Sequence, residues 1–218
     1  MSQRIKYPRT FHLPGSPGAT SDDKVLPSVD HFEGKLVVIT EKMDGENTTL
    51  YRDYLHARSK TYSPHPSRDW IRRYHAELRE QIPAGWRICG ENLFACHSIH
   101  YRNLDSYFLG FSIWDDENRA LGWEETLEWF ALLGIRPVPE IYRGPFNHET
   151  LDHQSRLVGD SDDIEGYVVR LEAGFHYSRF KESVAKYVRP GHVQTESHWI
   201  TQPVVKNMLR TDERRRNH

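Results

Sequence analysis

Lys42 stands in the run EKMDGENTTL at 41–50, directly behind the apolar segment Leu36-Val37-Val38-Ile39. That segment reads as a buried strand, because β-branched residues dominate it and no proline interrupts it. A lysine at the end of such a strand, with Asp44 and Gly45 turning the chain behind it, is held on rigid backbone facing a cleft. Desolvation and neighbouring cations would both disfavour its ammonium, so the amine is expected to lose its proton near neutral pH and act as a nucleophile. A solvated lysine at a strand–turn junction fits this short segment equally well.

Three more polar points are each set at a strand end or inside an apolar strand: Glu91 after Gly90, Glu165 before Gly166, and Lys186 within Ser183 to Val188. Singly, each is an ordinary turn or a solvent-facing lysine. Together they describe a site with a nucleophilic amine, a second cation against phosphate charge, and carboxylates for a ribose and a divalent metal. That set suits attack on the α-phosphate of a nucleoside triphosphate. The chain has no Gly-x-x-x-x-Gly-Lys loop, which argues against a Walker-type phosphate cradle.

The elements that must carry these residues are mostly strands. Thr48 to Tyr51 and Tyr54 to Arg58 flank Arg52-Asp53 as a hairpin. Ser67 is placed to cap a helix over Arg68 to Gln81, closed by Pro83 and Gly85. Trp86 to Cys89, Tyr107 to Trp114, Ile164 to Leu171 and Ser183 to Val188 read as strands, Glu124 to Leu133 as a helix stopped by Gly134, and Asn147 as the cap of another helix ending near Val158. The Pro-, Gly- and Ser-rich stretch before residue 31 reads as a long ordered loop or a mobile arm, and the end of the chain from Val193 as short helix and fraying tail.

Composition limits the alternatives. With 218 residues, 37% of them hydrophobic, the chain can bury one sizeable core. A net charge of −2 means that any nucleic acid must be held by a local basic groove. Cys89 and Cys96 lack metal or redox spacing and are too few for a disulfide framework, and His97, His100, His148 and His153 have no cysteines at zinc spacing. The start MSQRIKYPRT has no apolar segment of a secretory signal, so a cytoplasmic location is expected, with no membrane role.

The order of these pieces resembles the covalent nucleotidyltransferases, the polynucleotide ligases and mRNA capping enzymes, and most closely the ATP-dependent RNA ligases. The resemblance runs from about Tyr7 to His198. Lys42-Met43-Asp44-Gly45-Glu46-Asn47 resembles the first motif, and Asn47 favours RNA ligases, since DNA ligases usually carry Arg there. Arg58 resembles the sugar-contacting motif, Cys89-Gly90-Glu91 the third, and Phe111-Ser112-Ile113 the aromatic strand motif. Glu165-Gly166-Tyr167-Val168-Val169 resembles the fourth, and Val184-Ala185-Lys186-Tyr187-Val188-Arg189 the fifth.

The resemblance implies an α+β fold, with antiparallel sheets flanked by helices around an ATP cleft. It implies ATP and Mg²⁺ or Mn²⁺ as cofactors, Lys42 as the nucleophile that becomes lysyl-AMP, Lys186 at the α-phosphate, and Glu165 at the metal. Glu41, Asn47, Arg58, Glu91, Phe111 and Lys181 would surround ATP, Phe111 by stacking on adenine. The partner would be RNA with 5′-phosphate and 3′-hydroxyl ends. The chain departs from the family pattern at Val184, where a second lysine is common, leaving Lys181 or Arg189 to supply that charge, and at Ser112, where many relatives carry Asp.

The expected division is an N-terminal arm over 1–30 packed on or near the catalytic domain, a nucleotidyltransferase domain over 31–192 and a tail over 193–218 without a separate OB or other C-terminal domain. A partner subunit could then supply the grip on substrate. Another covalent nucleotidyltransferase (DNA ligase, capping-type or small-substrate adenylyltransferase) and a non-catalytic binder of nucleic-acid ends are the other readings.

Overall fold

The computed structural model describes residues 4–59, 65–159, 161, 163–192 and 203–210. In chain order the strands are β1 (Phe11–His12), β2 (Leu36–Lys42), β3 (Glu46–Tyr51), β4 (Leu55–Ala57), β5 (Arg87–Asn92), β6 (Phe108–Trp114), β7 (Arg119–Ala120), β8 (Arg136–Pro137), β9 (Glu140–Pro145), β10 (Gly166–Leu171), β11 (Phe175–His176) and β12 (Val184–Val188). The α-helices are α1 (Asp69–Leu78), α2 (Trp123–Leu133) and α3 (His148–Gly159). This is the α+β architecture expected, built on two mainly antiparallel sheets.

The first sheet runs β1-β12-β10-β2-β9 and the second runs β11-β7-β6-β5-β3-β4, with β8 beside β6. Parallel pairing enters at β1 with β12 and at β8 with β6. In the first sheet, strand alternation divides each sequence between two buried faces. Val37 and Ile39 of β2, Tyr167 and Val169 of β10, and Ala185 of β12 pack in one core with Val158 of α3 and Phe32. Thr40 and Lys42, Val168 and Arg170, and Val184 and Lys186 line the opposite face. Both faces of β2 are therefore covered, which explains why its sequence is a continuous apolar run rather than an alternating one. The second sheet packs Leu50, Ile88, Phe108 and Ile113 against Ile71 and Leu78 of α1 and Phe130 of α2.

The predicted helix over Arg68 to Gln81 is three pieces: a 3₁₀ turn at Pro66–Arg68, α1, and a 3₁₀ turn at Arg79–Gln81. Its cap is the His65 side chain, which accepts from Ser67 N, rather than Ser67 itself. α2 ends as expected at Gly134, whose φ of 67° suits a residue without a Cβ. Asn147 caps α3 by accepting from Thr150 N at 2.7 Å. The predicted strand at Trp86 to Cys89 extends to Asn92, which puts Glu91 inside it.

β9 was not anticipated. It is the edge of its sheet, largely exposed, and ends in Gly144-Pro145, so its sequence lacks the apolar signal of a central strand. Part of the arm joins the first sheet, where Phe11 and His12 pair with Ala185 and Lys186. Much of the expected helical tail lies outside the described residues. Within 203–210, Lys206 bridges to Ala95 and Leu209 to Leu104, and Arg210 is helical. Both cysteines are free thiols, and among the described residues no helix is long and apolar enough to cross a membrane.

Candidate active site

The cleft lies between the two sheets, over a volume of about 570 Å³, a size that suits a nucleotide. Lys42, Glu41, Asn47, Arg58, Glu91, Phe111, Glu165 and Lys186 all line it. Lys181 does not. It sits exposed in the 3₁₀ turn Tyr177–Glu182, outside the cleft wall, because that turn carries it away before β12 begins. Arg189 is also outside the cleft wall, its guanidinium Nε donating to Ile164 O at 2.8 Å.

Antiparallel register explains why distant residues converge. β2 pairs with β10 so that Lys42 faces Gly166, which brings the preceding Glu165 alongside the lysine. Lys42 Nζ donates to Glu165 Oε1 at 2.6 Å. Gly166 also lets β12 pack closely on the other side, since a Cβ there would meet Tyr187 O at 1.9 Å. In the other wall β3 pairs with β5, setting Asn47 opposite Glu91. The Asn47 carbonyl accepts from Arg58 N at 3.0 Å, and its side-chain Oδ1 is buried without a hydrogen-bond partner.

The electrostatics correct the expectation for Lys42. Burial works against its charge, but Glu165, Glu91 and Asp44 outweigh burial and hold its pKa above the ordinary lysine value. The carboxylates around it dominate, so in this state the amine is an ammonium. The depressed lysine is Lys186 instead: burial and then Lys42 push it down to about 8, with Asp23 and Glu165 pulling the other way. Burial likewise pushes Glu91 up to about 8, Lys42 opposing and Glu165 and Asp44 adding to the rise. Burial also raises the pKa of Glu41.

Several groups that the sequence reading did not assign complete the site. Asp44 Oδ2 accepts from Ser98 N at 2.8 Å, Ser98 Oγ at 2.7 Å and Ile99 N at 2.8 Å, which fixes the carboxylate. Its Oδ1 lies 3.8 Å from His192 Nε2, and that nitrogen lies 3.4 Å from Glu165 Oε1. Asp44, Glu165 and His192 each offer a ligand atom within 4.8 Å of the others. Glu165 Oε2 and His192 Nδ1 are buried without hydrogen-bond partners. The two carboxylates, one with an orphaned oxygen, suit a divalent cation such as magnesium or manganese, while the imidazole beside them is a donor more usual for the later transition metals.

Arg68 and Glu46 form a buried bidentate pair in the cleft wall. Tyr7 of the arm meets Phe111 edge-on, with ring centroids 5.1 Å apart, and Arg170 donates to the Phe111 carbonyl at 3.3 Å. The departure at Ser112 finds a local answer, since its hydroxyl lies within hydrogen-bonding reach of Tyr7 and accepts from Trp114 Nε1 at 3.1 Å.

A family model described as RNA ligase matches residues 35–188. Among solved structures, an archaeal ATP-dependent RNA ligase superposes with a TM-score of 0.58 at 19% identity, covering 84% of this chain and 48% of its own. A Naegleria gruberi RNA ligase mutant with ATP and Mn gives 0.57 at 16% identity, with 85% and 56% covered. Naegleria gruberi RNA ligase with PPi gives 0.56 at 18%, with 86% and 61% covered. The chain thus spans about half the length of these proteins, and at such identities the likeness is one of fold. No curated protein matches the chain. Because the family model matches well over half of the sequence and spans both walls of the cleft, the chain belongs to the RNA ligase family.

Proposed function

We propose that this chain performs the nucleotidyl-transfer chemistry of an ATP-dependent RNA ligase, with Lys42 as the residue that becomes covalently adenylylated. The observation that carries the reading is the contact of Lys42 Nζ with Glu165 Oε1 at 2.6 Å in a cleft also lined by Glu91 and Lys186. Lys42 Nζ attacks the ATP α-phosphorus, the N–P bond forms, and the bond to the β-phosphate oxygen breaks, releasing pyrophosphate. One ammonium proton must leave before the attack, and Glu165 Oε1 is the acceptor in place.

Lys186 balances the charge that builds on the α-phosphate oxygens. Glu91 and Asn47 hold the ribose side, and Phe111 orients the base by stacking. Glu165, with Asp44 and His192 in reach, would hold Mg²⁺ or Mn²⁺, which supplies positive charge to the phosphates. AMP then passes from Lys42 to the 5′-phosphate of an RNA end, and a 3′-hydroxyl displaces it to seal the strand.

Incubation with ATP and magnesium or manganese, followed by intact-mass measurement, tests the reading. The protein is expected to gain one AMP, and Lys42→Ala to gain none. Undiminished AMP uptake by Lys42→Ala would remove the assignment. A panel of nicked, gapped and single-stranded RNA then defines which ends are joined and whether a second protein is needed for grip.

A further inference from the structure

The N-terminal arm brings a carboxylate to the wall of a cleft that, on the reading above, receives a triphosphate. His12 is the register partner of Lys186, and Leu13 N donates to Lys186 O at 2.7 Å. The arm then turns back on itself: His12 N donates to Lys24 O at 2.7 Å and Leu26 N to His12 O at 2.8 Å. Asp23 is thereby fixed beside His12 and Lys186.

Both of its oxygens are engaged. Oδ2 accepts from Thr20 N at 3.1 Å and Thr20 Oγ1 at 3.0 Å, and lies 3.5 Å from His12 Nε2. Oδ1 accepts from Arg9 at 3.3 Å and lies 3.9 Å from Lys186 Nζ. His12 is wholly buried, its Nδ1 2.9 Å from Ser16 Oγ. Burial alone would raise the Asp23 carboxyl, but the Thr20 bonds and Lys186 outweigh it and bring it down to about 2, so it is ionised.

A fixed negative charge in this place repels a phosphate ligand, so its value must lie in what it does to a neighbour. Lysine carries a flexible four-carbon stem and readily loses its proton when buried. Beside a rigid carboxylate it keeps both its place and its charge. We infer, resting on the ligase reading, that Asp23 is a positioning residue: it holds the Lys186 ammonium at the reaction centre from the arm.

Acetylation of Lys186 by acetic anhydride, followed by peptide mass spectrometry across pH without ATP, reads this directly. The charges facing Lys186 are Lys42 and Arg58, which lower its midpoint, and Asp23 and Glu165, which raise it, with His12 on the adjacent strand. In Asp23→Asn the midpoint is expected to fall by about one pH unit. If Asp23 only ties the arm down, the substitution exposes Lys186 and its midpoint moves up toward the ordinary lysine value. An upward or absent movement overturns the inference. Asp23→Ser, equally uncharged, must give the same fall.

A double-mutant cycle on single-turnover AMP transfer gives the functional readout. Asp23→Asn should slow transfer roughly tenfold in the wild-type background and less than twofold in Lys186→Ala. Equal slowing in both backgrounds overturns the inference. A wild-type protein that takes up no AMP counts against the ligase reading alone, and the acetylation midpoint still decides whether Asp23 holds Lys186.

Discussion

Lys42 and Glu165 are 123 residues apart in the chain, and their side chains meet at 2.6 Å. The pair is mostly withdrawn from solvent, with the carboxylate 6% exposed. Glu165 Oε1 thus holds the amine and also lies 3.4 Å from His192 Nε2, within the group of possible cation donors that includes Asp44, while Oε2 is buried without a hydrogen-bond partner. Glu165→Gln keeps the shape and a hydrogen-bond acceptor but removes the charge. It is expected to fold and to lose about 100-fold in the rate of AMP uptake, measured with α-labelled ATP at saturating metal. A rate within threefold of wild type would show that the charge is not used.

The proposed base-stacking role of Phe111 has its own test. The ring lines the cleft and meets Tyr7 edge-on, while its backbone carbonyl is tied to Arg170. Phe111→Tyr preserves an aromatic face, whereas Phe111→Ala removes it. The alanine variant should raise the ATP concentration for half-maximal nucleotidylation about tenfold, the equivalent of roughly 1.4 kcal/mol of stacking. The tyrosine variant should stay within threefold. Equal weakening by both would assign the ring to core packing.

Lys42, Glu91, Glu165 and Lys186 were legible because local patterns mark them. A charged residue inside an apolar strand, or beside a glycine at a strand end, is locally conspicuous, and strand alternation fixes which face it takes. The charge state of Lys42 was not legible, since the carboxylate that decides it arrives from β10 through long-range pairing. The same reason hid His192, Arg68 and Tyr7, whose partners lie on other elements and leave no local periodicity. Lys181 was misjudged because proximity to Lys186 in sequence says nothing about a 3₁₀ turn that carries it outward. β9 escaped because an edge strand need not be apolar.

Glu91 makes stability depend on pH in a defined direction. Its carboxyl is raised from about 4.5 in the unfolded chain to about 8 in the fold. A raised folded pKa means that the contribution to stability is fully present below the unfolded value and is lost as pH climbs through the folded one. Glu91→Gln removes this dependence. The glutamine variant should melt roughly 2–6 °C above the wild type at pH 8.5, and the gap should close toward pH 5. Thermal melts at both pH values, without ATP or metal, check the sign. A gap that widens toward low pH would contradict the burial-driven shift.

Arg68 and Glu46 join the start of the α1 region to β3 through a bidentate pair, with side chains 10% and 11% exposed. Removing one member strands the other charge in the wall, at a cost of about 3–5 kcal/mol. Arg68→Ala should therefore lower the midpoint of urea unfolding strongly. Arg68→Met with Glu46→Leu, which removes both charges and keeps apolar volume, should recover much of that loss. Urea titrations of both variants provide the measurement. Similar losses in the single and double variants would mean that the pair's packing, rather than its charge balance, supports the wall behind Asn47 and Arg58.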